Sequence, residues 1–232
     1  MKLLAFETST EACSVAVWLD GEVRERFEVA PRRHAELALP WAERLLAEAG
    51  VARTALDAIA VGRGPGAFTG VRLGVAIAQG IALALDLPVA PVSTLAALAA
   101  PAGGDRILAA IDARMGEVYL GAFERRGDVL APLQEEAVGA PSDIPVPEGD
   151  GWHARGTGFD AVDGALRARL AGRTDALDAS ALPRAADVAR LGAGMIARGE
   201  GVPPERLEPA YLRNQVALTL AQQQAAAARG KR

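Results

Sequence analysis

The stretch Gly62–Leu85 constrains the fold of this chain more than any other segment. It reads GRGPGAFTGVRLGVAIAQGIALAL, a glycine-rich loop followed by a long apolar run. Between Thr69 and Leu85, the polar side chains are Thr69, Arg72 and Gln79. A helix on the surface of a soluble protein normally has a polar side. We therefore expect a helix that is covered on nearly all sides.

Small residues recur along this predicted helix at every fourth position, which places them on one face. They are Gly66, Gly70, Gly74, Ala78 and Ala82, and Leu73, Ile77, Ile81 and Leu85 form the stripe beside them. A glycine inside a helix costs about 1 kcal/mol relative to alanine. A face of small side chains lets another backbone approach closely. The pattern therefore favours either a central core helix or a helix that also docks a second protein.

Composition excludes several classes of function. The chain has 232 residues, enough for one large domain or two small ones. A net charge of −4 and an aromatic content of 4% argue against a self-sufficient nucleic-acid binder, which is usually basic and rich in stacking side chains. The single cysteine, Cys13, cannot form an internal disulfide, which is typical of a reducing compartment.

Targeting signals are not predicted. Glu7, Glu11 and Asp20 interrupt the first apolar residues, so that region reads as strands and not as a signal peptide. The apolar run Val71–Leu85 is too short to cross a bilayer. We expect a cytoplasmic protein without a membrane partner.

The order of the predicted elements indicates two similar lobes. Three strands, Lys2–Thr8, Cys13–Leu19 and Glu22–Val29, open the chain. A helix over Arg33–Ala49 follows, and Pro40 should kink it or mark its true start. The strand pattern restarts at residue 106, where RILAAID mirrors KLLAFE. The prediction is an N-terminal lobe over 1–102, a smaller C-terminal lobe over 103–215 and an Ala/Gln-rich tail over 216–232.

Duplicated strand-strand-strand-helix lobes with an acidic residue after the first strand suggest the actin-like ATPase architecture. The nucleotide site of that architecture binds phosphates through the backbone N–H groups of glycine-containing turns. The first turn here, Glu7-Thr8-Ser9-Thr10-Glu11, has no glycine, and the second, which begins at Asp112, has one. These turns predict a degenerate nucleotide site at Glu7, Thr8, Ser9 and Asp112. The alternative is that the hydroxyls simply satisfy turn backbone groups.

The sequence contains few histidine and cysteine residues that could bind a metal ion or act in catalysis. His34 begins a helix, but its neighbour four residues on is Ala38 and not a second ligand, and His153 lies far along the chain. Two histidines and one cysteine make a zinc site improbable. We expect no metal, no cofactor and no catalytic residue, with His34 exposed at the helix start. Glu7 and Asp112 could pair across a cleft, although carboxylates at strand ends more often bond nearby turns.

Several segments resemble the bacterial TsaB (YeaZ) family: ETSTEACSVAVWLDG, RHAELALPWAERLL, AVGRGPGAFTGVRLGVAIAQGIA, IDARMGEVY and PAYLR. The match is dense over residues 1–125 and loose through 126–200. The most specific segment is GPGAFTGVRLG, which this family usually reads as GPGSFTGLRIG. The resemblance implies an α/β, actin-like fold of two ribonuclease-H-like lobes with mixed sheets, the second lobe reduced. It also implies a role in making threonylcarbamoyladenosine beside the anticodon of tRNAs that read codons starting with A.

In that pathway the related subunit TsaD transfers the threonylcarbamoyl group and holds a metal through an HxxxH pair. The resemblance implies that this chain is a non-catalytic partner of TsaD. An ATPase, TsaE, completes the complex, and tRNA is met only through that complex. Two N-terminal-lobe helices would pack against the same helices of TsaD or of a second copy. That role falls on Leu37, Trp41, Leu45, Val71, Gly74, Val75 and Ala78. Other hypotheses are an actin-like small-molecule kinase, a metallopeptidase-like enzyme and a homodimer with unrelated duties.

Overall fold

The computed structural model describes residues 1–127 and 129–213. The predicted tail over 216–232 and the last two residues of the predicted second lobe lie outside the described residues. Within them, two β-sheets form the framework, and both have the same strand topology.

The first sheet has the order β3-β2-β1-β4-β5. Its strands are β1 (Lys2–Glu7), β2 (Ala12–Leu19), β3 (Glu22–Val29), β4 (Ala58–Gly62) and β5 (Val89–Val92). The hairpin strands β1, β2 and β3 pair antiparallel, whereas β4 and β5 continue the sheet in parallel beside β1. The interior residues of β1, Leu3 to Phe6, are apolar because the strand lies in the middle of the sheet and is covered on both faces.

The second sheet repeats this order with β8-β7-β6-β10-β11. Its strands are β6 (Arg106–Arg114), β7 (Glu117–Arg126), β8 (Val129–Pro132), β9 (Ala137–Gly139), β10 (Trp152–Arg155) and β11 (Thr174–Asp178), and β9 pairs with β7 off the main path. The prediction of a duplicated antiparallel hairpin region is confirmed. The strands β9, β10 and β11 were not predicted. β9 has only three residues, and β10 and β11 are short and mix polar with apolar residues.

Five α-helices surround the sheets in the described part of the chain: α1 (His34–Glu48), α2 (Phe68–Leu85), α3 (Thr94–Ala99), α4 (Ala161–Arg169) and α5 (Ala185–Ala197). Both α1 and α2 cover one face of the first sheet. The helix α1 runs from His34 through Pro40, so Pro40 does not mark its start. Ser93 caps α3, as its type predicts: its Oγ accepts hydrogen bonds from the Leu95 and Ala96 N–H groups, at 3.1 Å each.

The last helix of each lobe crosses to the other lobe. Helix α5 follows the second sheet in sequence, yet Ala185, Val188 and Ala189 are buried against Leu3 and Ala5 of the first sheet. Helix α3 follows the first sheet, yet Leu95 and Leu98 share a buried cluster with Ile107 of the second sheet. By sequence, α5 lies inside the predicted lobe over 103–215; by packing, it belongs to the first lobe.

After α5 the chain returns over the first lobe as a strap, here defined as residues 201–213. Val202 pairs with Val89 at the edge of the first sheet. The Gln79 amide on α2 donates to the carbonyl oxygens of Pro204 and Leu207, at 3.1 and 3.0 Å. The Arg213 side chain then reaches the second lobe, where it donates to the Ala113 carbonyl oxygen at 3.2 Å and to the Glu117 carboxylate. The strap therefore joins both lobes.

Candidate functional site

A cleft of about 810 Å³ opens between the two lobes. Its walls are the turn between β1 and β2, the start of α1, the first turns of α2, the turn after β6 and the end of the strap. Charged side chains of both signs line it: Glu11, Arg32, Asp112, Arg114, Asp160 and Arg213. The cleft therefore does not concentrate one sign of charge.

The Glu7 carboxyl lies behind this cleft and is fully enclosed, with an exposed fraction of 1%. The Ser9 N–H donates to its Oε1 at 2.7 Å, and the Thr94 hydroxyl donates to its Oε2 at 3.1 Å. Burial raises the pKa of Glu7, and these hydrogen bonds offset part of that rise. A Cβ on Gly62 would lie 1.8 Å from the Glu7 Oε2, so the carboxyl fills the space beside the glycine-rich loop.

The turn after β1 is bonded to the chain's own loop and helix. The Thr8 hydroxyl donates to the Gly70 carbonyl oxygen at 2.7 Å, and the Ala67 N–H donates to the Ser9 carbonyl oxygen at 2.7 Å. Thr8 and Ser9 thus hold the first turn of α2 against β1. The Thr8 hydroxyl and the Ser9 N–H, two donors that could serve a phosphate grip, are therefore used within the chain.

Asp112 stands at the equivalent strand position of the second lobe. Its carboxylate accepts from the Arg114 N–H at 2.7 Å and from the Arg114 guanidinium at 2.8 Å. Glu7 and Asp112 therefore have separate partners and do not form a pair.

His34 is buried, with an exposed fraction of 9%, so the expectation of an exposed histidine is wrong. Its Nε2 lies 2.9 Å from the Thr10 carbonyl oxygen and 3.1 Å from the Ala12 carbonyl oxygen. Both oxygens only accept, so Nε2 carries the proton. The ring ties the start of α1 to the turn between β1 and β2. Among the described residues, no group of three His, Cys, Asp or Glu side chains could hold a metal ion.

The inner face of α2 packs against the first sheet. Val71, Gly74, Val75 and Ala78 are all buried within the chain. A Cβ on Gly74 would lie 2.7 Å from the Thr8 Oγ1 and 3.4 Å from a Val61 methyl group. The small-residue stripe through Gly70, Gly74, Ala78 and Ala82 thus serves the chain's own core, because only small side chains allow α2 this close to β1 and β4. In the described structure these four predicted interface residues therefore contribute to the core of the chain.

The predicted interface residues of helix α1 also lie on the side that packs in the core. Trp41 and Leu45 are buried in the core beneath the helix, and Leu37 is half-buried against it. Of the seven residues predicted to touch a partner, Leu37 therefore retains some access to solvent, and the other six are interior. The sequence alone does not decide which residues of α1 and α2 face a partner and which face the sheet, and a contact between these helices and a partner stays a prediction.

The outer face of α2, here defined as Phe68, Arg72, Ala76, Gly80, Leu83 and Ala84, is exposed. Leu83 is 54% exposed, and a Cβ on Gly80 would meet no atom of the described residues within 4 Å. The signal for this face was present in the sequence, because Ala76, Gly80 and Ala84 form a second stripe of small residues at four-residue spacing. Leu39 on the neighbouring α1 is also exposed, and with Leu46 and Ile81 it lines a small cavity of about 80 Å³ between the helices.

By length and composition, Phe68–Leu85 could cross a membrane. In this structure the inner face of the helix packs against the first sheet.

Two mixed sheets of matching topology around a central cleft define an α/β protein of the actin-like ATPase fold. A family model described as TsaD, tRNA N6-adenosine threonylcarbamoyltransferase, matches residues 27–163. The relatives found in the curated and structural comparisons are more specific than this model, and on them the chain belongs to the TsaB (YeaZ) family.

The tRNA threonylcarbamoyladenosine biosynthesis protein TsaB of Escherichia coli K12 is 43% identical, over 94% of this chain and 96% of that protein. The TsaB protein of Haemophilus influenzae is 39% identical, over 93% of this chain and 95% of the relative. The solved structure of YeaZ from Pseudomonas aeruginosa is 48% identical, with a TM-score of 0.85, and the match covers 91% of this chain and 99% of that one.

Proposed function

We propose that this chain is the non-catalytic subunit of the complex that forms N6-threonylcarbamoyladenosine next to the anticodon of tRNA. It acts in the cytoplasm by docking a TsaD-like catalytic subunit. A TsaE-like ATPase joins the complex, and tRNA is contacted through the assembly. Relatives named for tRNA threonylcarbamoyladenosine biosynthesis, which match nearly the whole chain, support this role.

The observation that carries the proposal is the uncovered outer face of α2. Leu83 is more than half exposed, and Ala76, Gly80 and Ala84 beside it leave the helix backbone open. An exposed glycine inside a helix costs about 1 kcal/mol relative to alanine. Among residues 1–127 and 129–213 nothing packs against Gly80, so this part of the fold offers no compensation for that cost. A partner helix that packs closely against Gly80 would compensate for that cost.

The division of labour follows from the cleft. In the turn after β1, Glu7, Thr8 and Ser9 bond to one another and to the neighbouring loop and helix. That arrangement supports a structural role for the turn and places the transfer chemistry in the partner. The outer faces of α1 and α2 would also serve self-association, so a homodimer and the heterodimer would compete for one surface.

The test is a pair of leucine substitutions on opposite lobes. We expect Leu83→Glu to raise the Kd for the TsaD-like subunit by roughly 30-fold or more, because it buries a carboxylate in an apolar contact. The matched control is Leu177→Glu on the edge strand β11, where Leu177 is also exposed. Calorimetric titration measures both, and tRNA modification by the reconstituted complex should fall for Leu83→Glu only. Unchanged binding by a folded Leu83→Glu variant would refute docking through this face.

A further inference from the structure

An aromatic and arginine cluster stands where the outer face of α2 meets the strap. The rings of Phe68 and Tyr211 have centroids 6.5 Å apart and are tilted by 40°. The Arg72 Cζ lies 3.4 Å from the Phe68 centroid and 5.3 Å from the Tyr211 centroid. Its Nε donates to the Tyr211 hydroxyl oxygen at 2.7 Å. The three side chains thus form one unit from two distant parts of the sequence.

Both rings of this cluster face solvent, with exposed fractions of 54% for Phe68 and 52% for Tyr211. Aromatic residues are only 4% of the chain, and an apolar ring gains little from standing in water. The neighbouring Ala210 N–H donates to the Arg63 carbonyl oxygen at 2.8 Å, which holds this part of the strap in place. A rigid, exposed group of tyrosine, phenylalanine and arginine has the composition of an interface hot spot.

The positive charge of Arg72 indicates which side chains a partner would need at this position. In the described part of the chain, the Arg72 guanidinium takes part in no ion pair, and its one side-chain hydrogen bond uses Nε. A guanidinium has five N–H donors, so the remaining donors can meet a second group. A partner seated on the outer face of α2 would remove water from this charge. An arginine buried without a counter-charge is costly, and a carboxylate matches its fork.

We propose that the docking segment of the catalytic subunit carries an Asp or Glu side chain that pairs with Arg72. An apolar side chain beside it packs on the rings of Phe68 and Tyr211. This rests on the proposed function, and it adds the strap to the interface. The contact would therefore be made by an apolar helix with one acidic position, aligned with the first turns of α2.

Binding of the TsaD-like subunit should be titrated at about 0.1 and 1 M salt, between which the screening length falls from about 10 to 3 Å. We expect the wild-type Kd to rise with salt. Arg72→Gln should weaken binding about tenfold or more at low salt and should remove most of the salt dependence. Tyr211→Phe keeps the ring and removes the hydroxyl acceptor, so it should retain the salt dependence. Arg198→Gln is the matched control, because Arg198 pairs with Glu200 away from α2.

A folded Arg72→Gln variant with the wild-type Kd, or with an unchanged salt dependence, would overturn the proposal. Leu83→Glu distinguishes the docking face of the proposed function from the acidic contact with Arg72. If Leu83→Glu abolishes binding while Arg72→Gln does not, only the acidic contact is wrong. If neither variant affects binding, the docking face itself is wrong. Sedimentation of the chain alone measures self-association and tests whether a second copy occupies this face. If Arg72→Gln changes self-association and not binding of the catalytic subunit, the cluster serves a second copy and the proposal fails.

Discussion

Glu7 is held inside the first lobe by neutral neighbours. Its two oxygens accept one bond each, from the Ser9 N–H and the Thr94 hydroxyl, and Thr94 also accepts a bond from the Gly64 N–H at 3.2 Å. A buried carboxylate without a cation is costly, and burial accordingly raises the pKa of this carboxyl. Burial raises the pKa of Glu136 and of Asp187 in the same way, although arginines near both partly oppose it.

We predict that Glu7 makes stability fall as pH rises. Its pKa in the folded chain lies above the ordinary value of 4.5, so the folded state holds the proton more tightly than the unfolded state. The stabilisation is complete below 4.5 and is lost as pH rises through the folded pKa. Glu7→Gln is neutral throughout, and its amide can serve both neighbours. Urea unfolding at about pH 5 and about pH 8 should show wild type losing stability relative to Glu7→Gln.

Because the two proteins differ only at Glu7, the titration of every other group cancels in this comparison. An equal difference in unfolding free energy at both pH values would mean that folding does not raise the pKa of Glu7.

At the scale of elements, α2 carries two stripes of small residues with opposite duties. The inner stripe lets the helix lie on β1, where the Thr8 hydroxyl bonds the Gly70 carbonyl oxygen. The outer stripe faces solvent, and a Cβ on Gly80 at its centre would meet no atom within 4 Å in the part of the chain that the structure describes. One helix therefore has a face that the fold requires and a face that the fold does not use.

Alanine substitution should separate these duties. Gly74→Ala places a Cβ 2.7 Å from the Thr8 Oγ1, so backbone or hydroxyl must shift, and we expect a loss of about 1–3 kcal/mol in unfolding free energy. Gly80→Ala adds a methyl group in open space and should stabilise the dilute chain by about 1 kcal/mol. Guanidinium unfolding of both variants measures the difference. Equal effects of the two changes would mean that α2 is not oriented as described.

The sequence predicts the hairpin strands and both long helices of the first lobe, because alternation and glycine turns mark them clearly. It does not orient α2, because Gly74 and Gly80 look alike until a neighbouring strand is in place. It also misses β10 and β11, since WHAR and TDALD carry too few apolar residues to reveal a strand. His34 becomes buried through a contact with residues more than twenty positions away, which no local pattern records.

At the scale of the whole molecule, the strap is a direct link between the α2 face and the second lobe. It is bonded to Gln79 on α2, to the Arg63 backbone and, through Arg213, to the turn after β6. A partner that contacts Tyr211 would therefore act on a segment that also lines the cleft.

We expect Arg213→Gln to loosen the junction of strap and second lobe. Its contacts with the Ala113 carbonyl oxygen and the Glu117 carboxylate would be weakened, while the cores of both sheets stay intact. Hydrogen exchange should become faster in residues 113–117 and 208–212 and should remain unchanged in β1 and β6. Arg198→Gln, which breaks an exposed pair within the first lobe, is the control. Unaltered exchange in both segments would show that the strap is held by other contacts.

The crossing of α3 and α5 has a consequence for biosynthesis. The face of the first sheet formed by Leu3 and Ala5 is closed by Ala185, Val188 and Ala189. During translation this face stays exposed to solvent until the residues of α5 have left the ribosome. The first lobe therefore cannot complete its core before the strands of the second lobe have been synthesised. A nascent chain of this design needs protection for longer than one whose domains mature in turn.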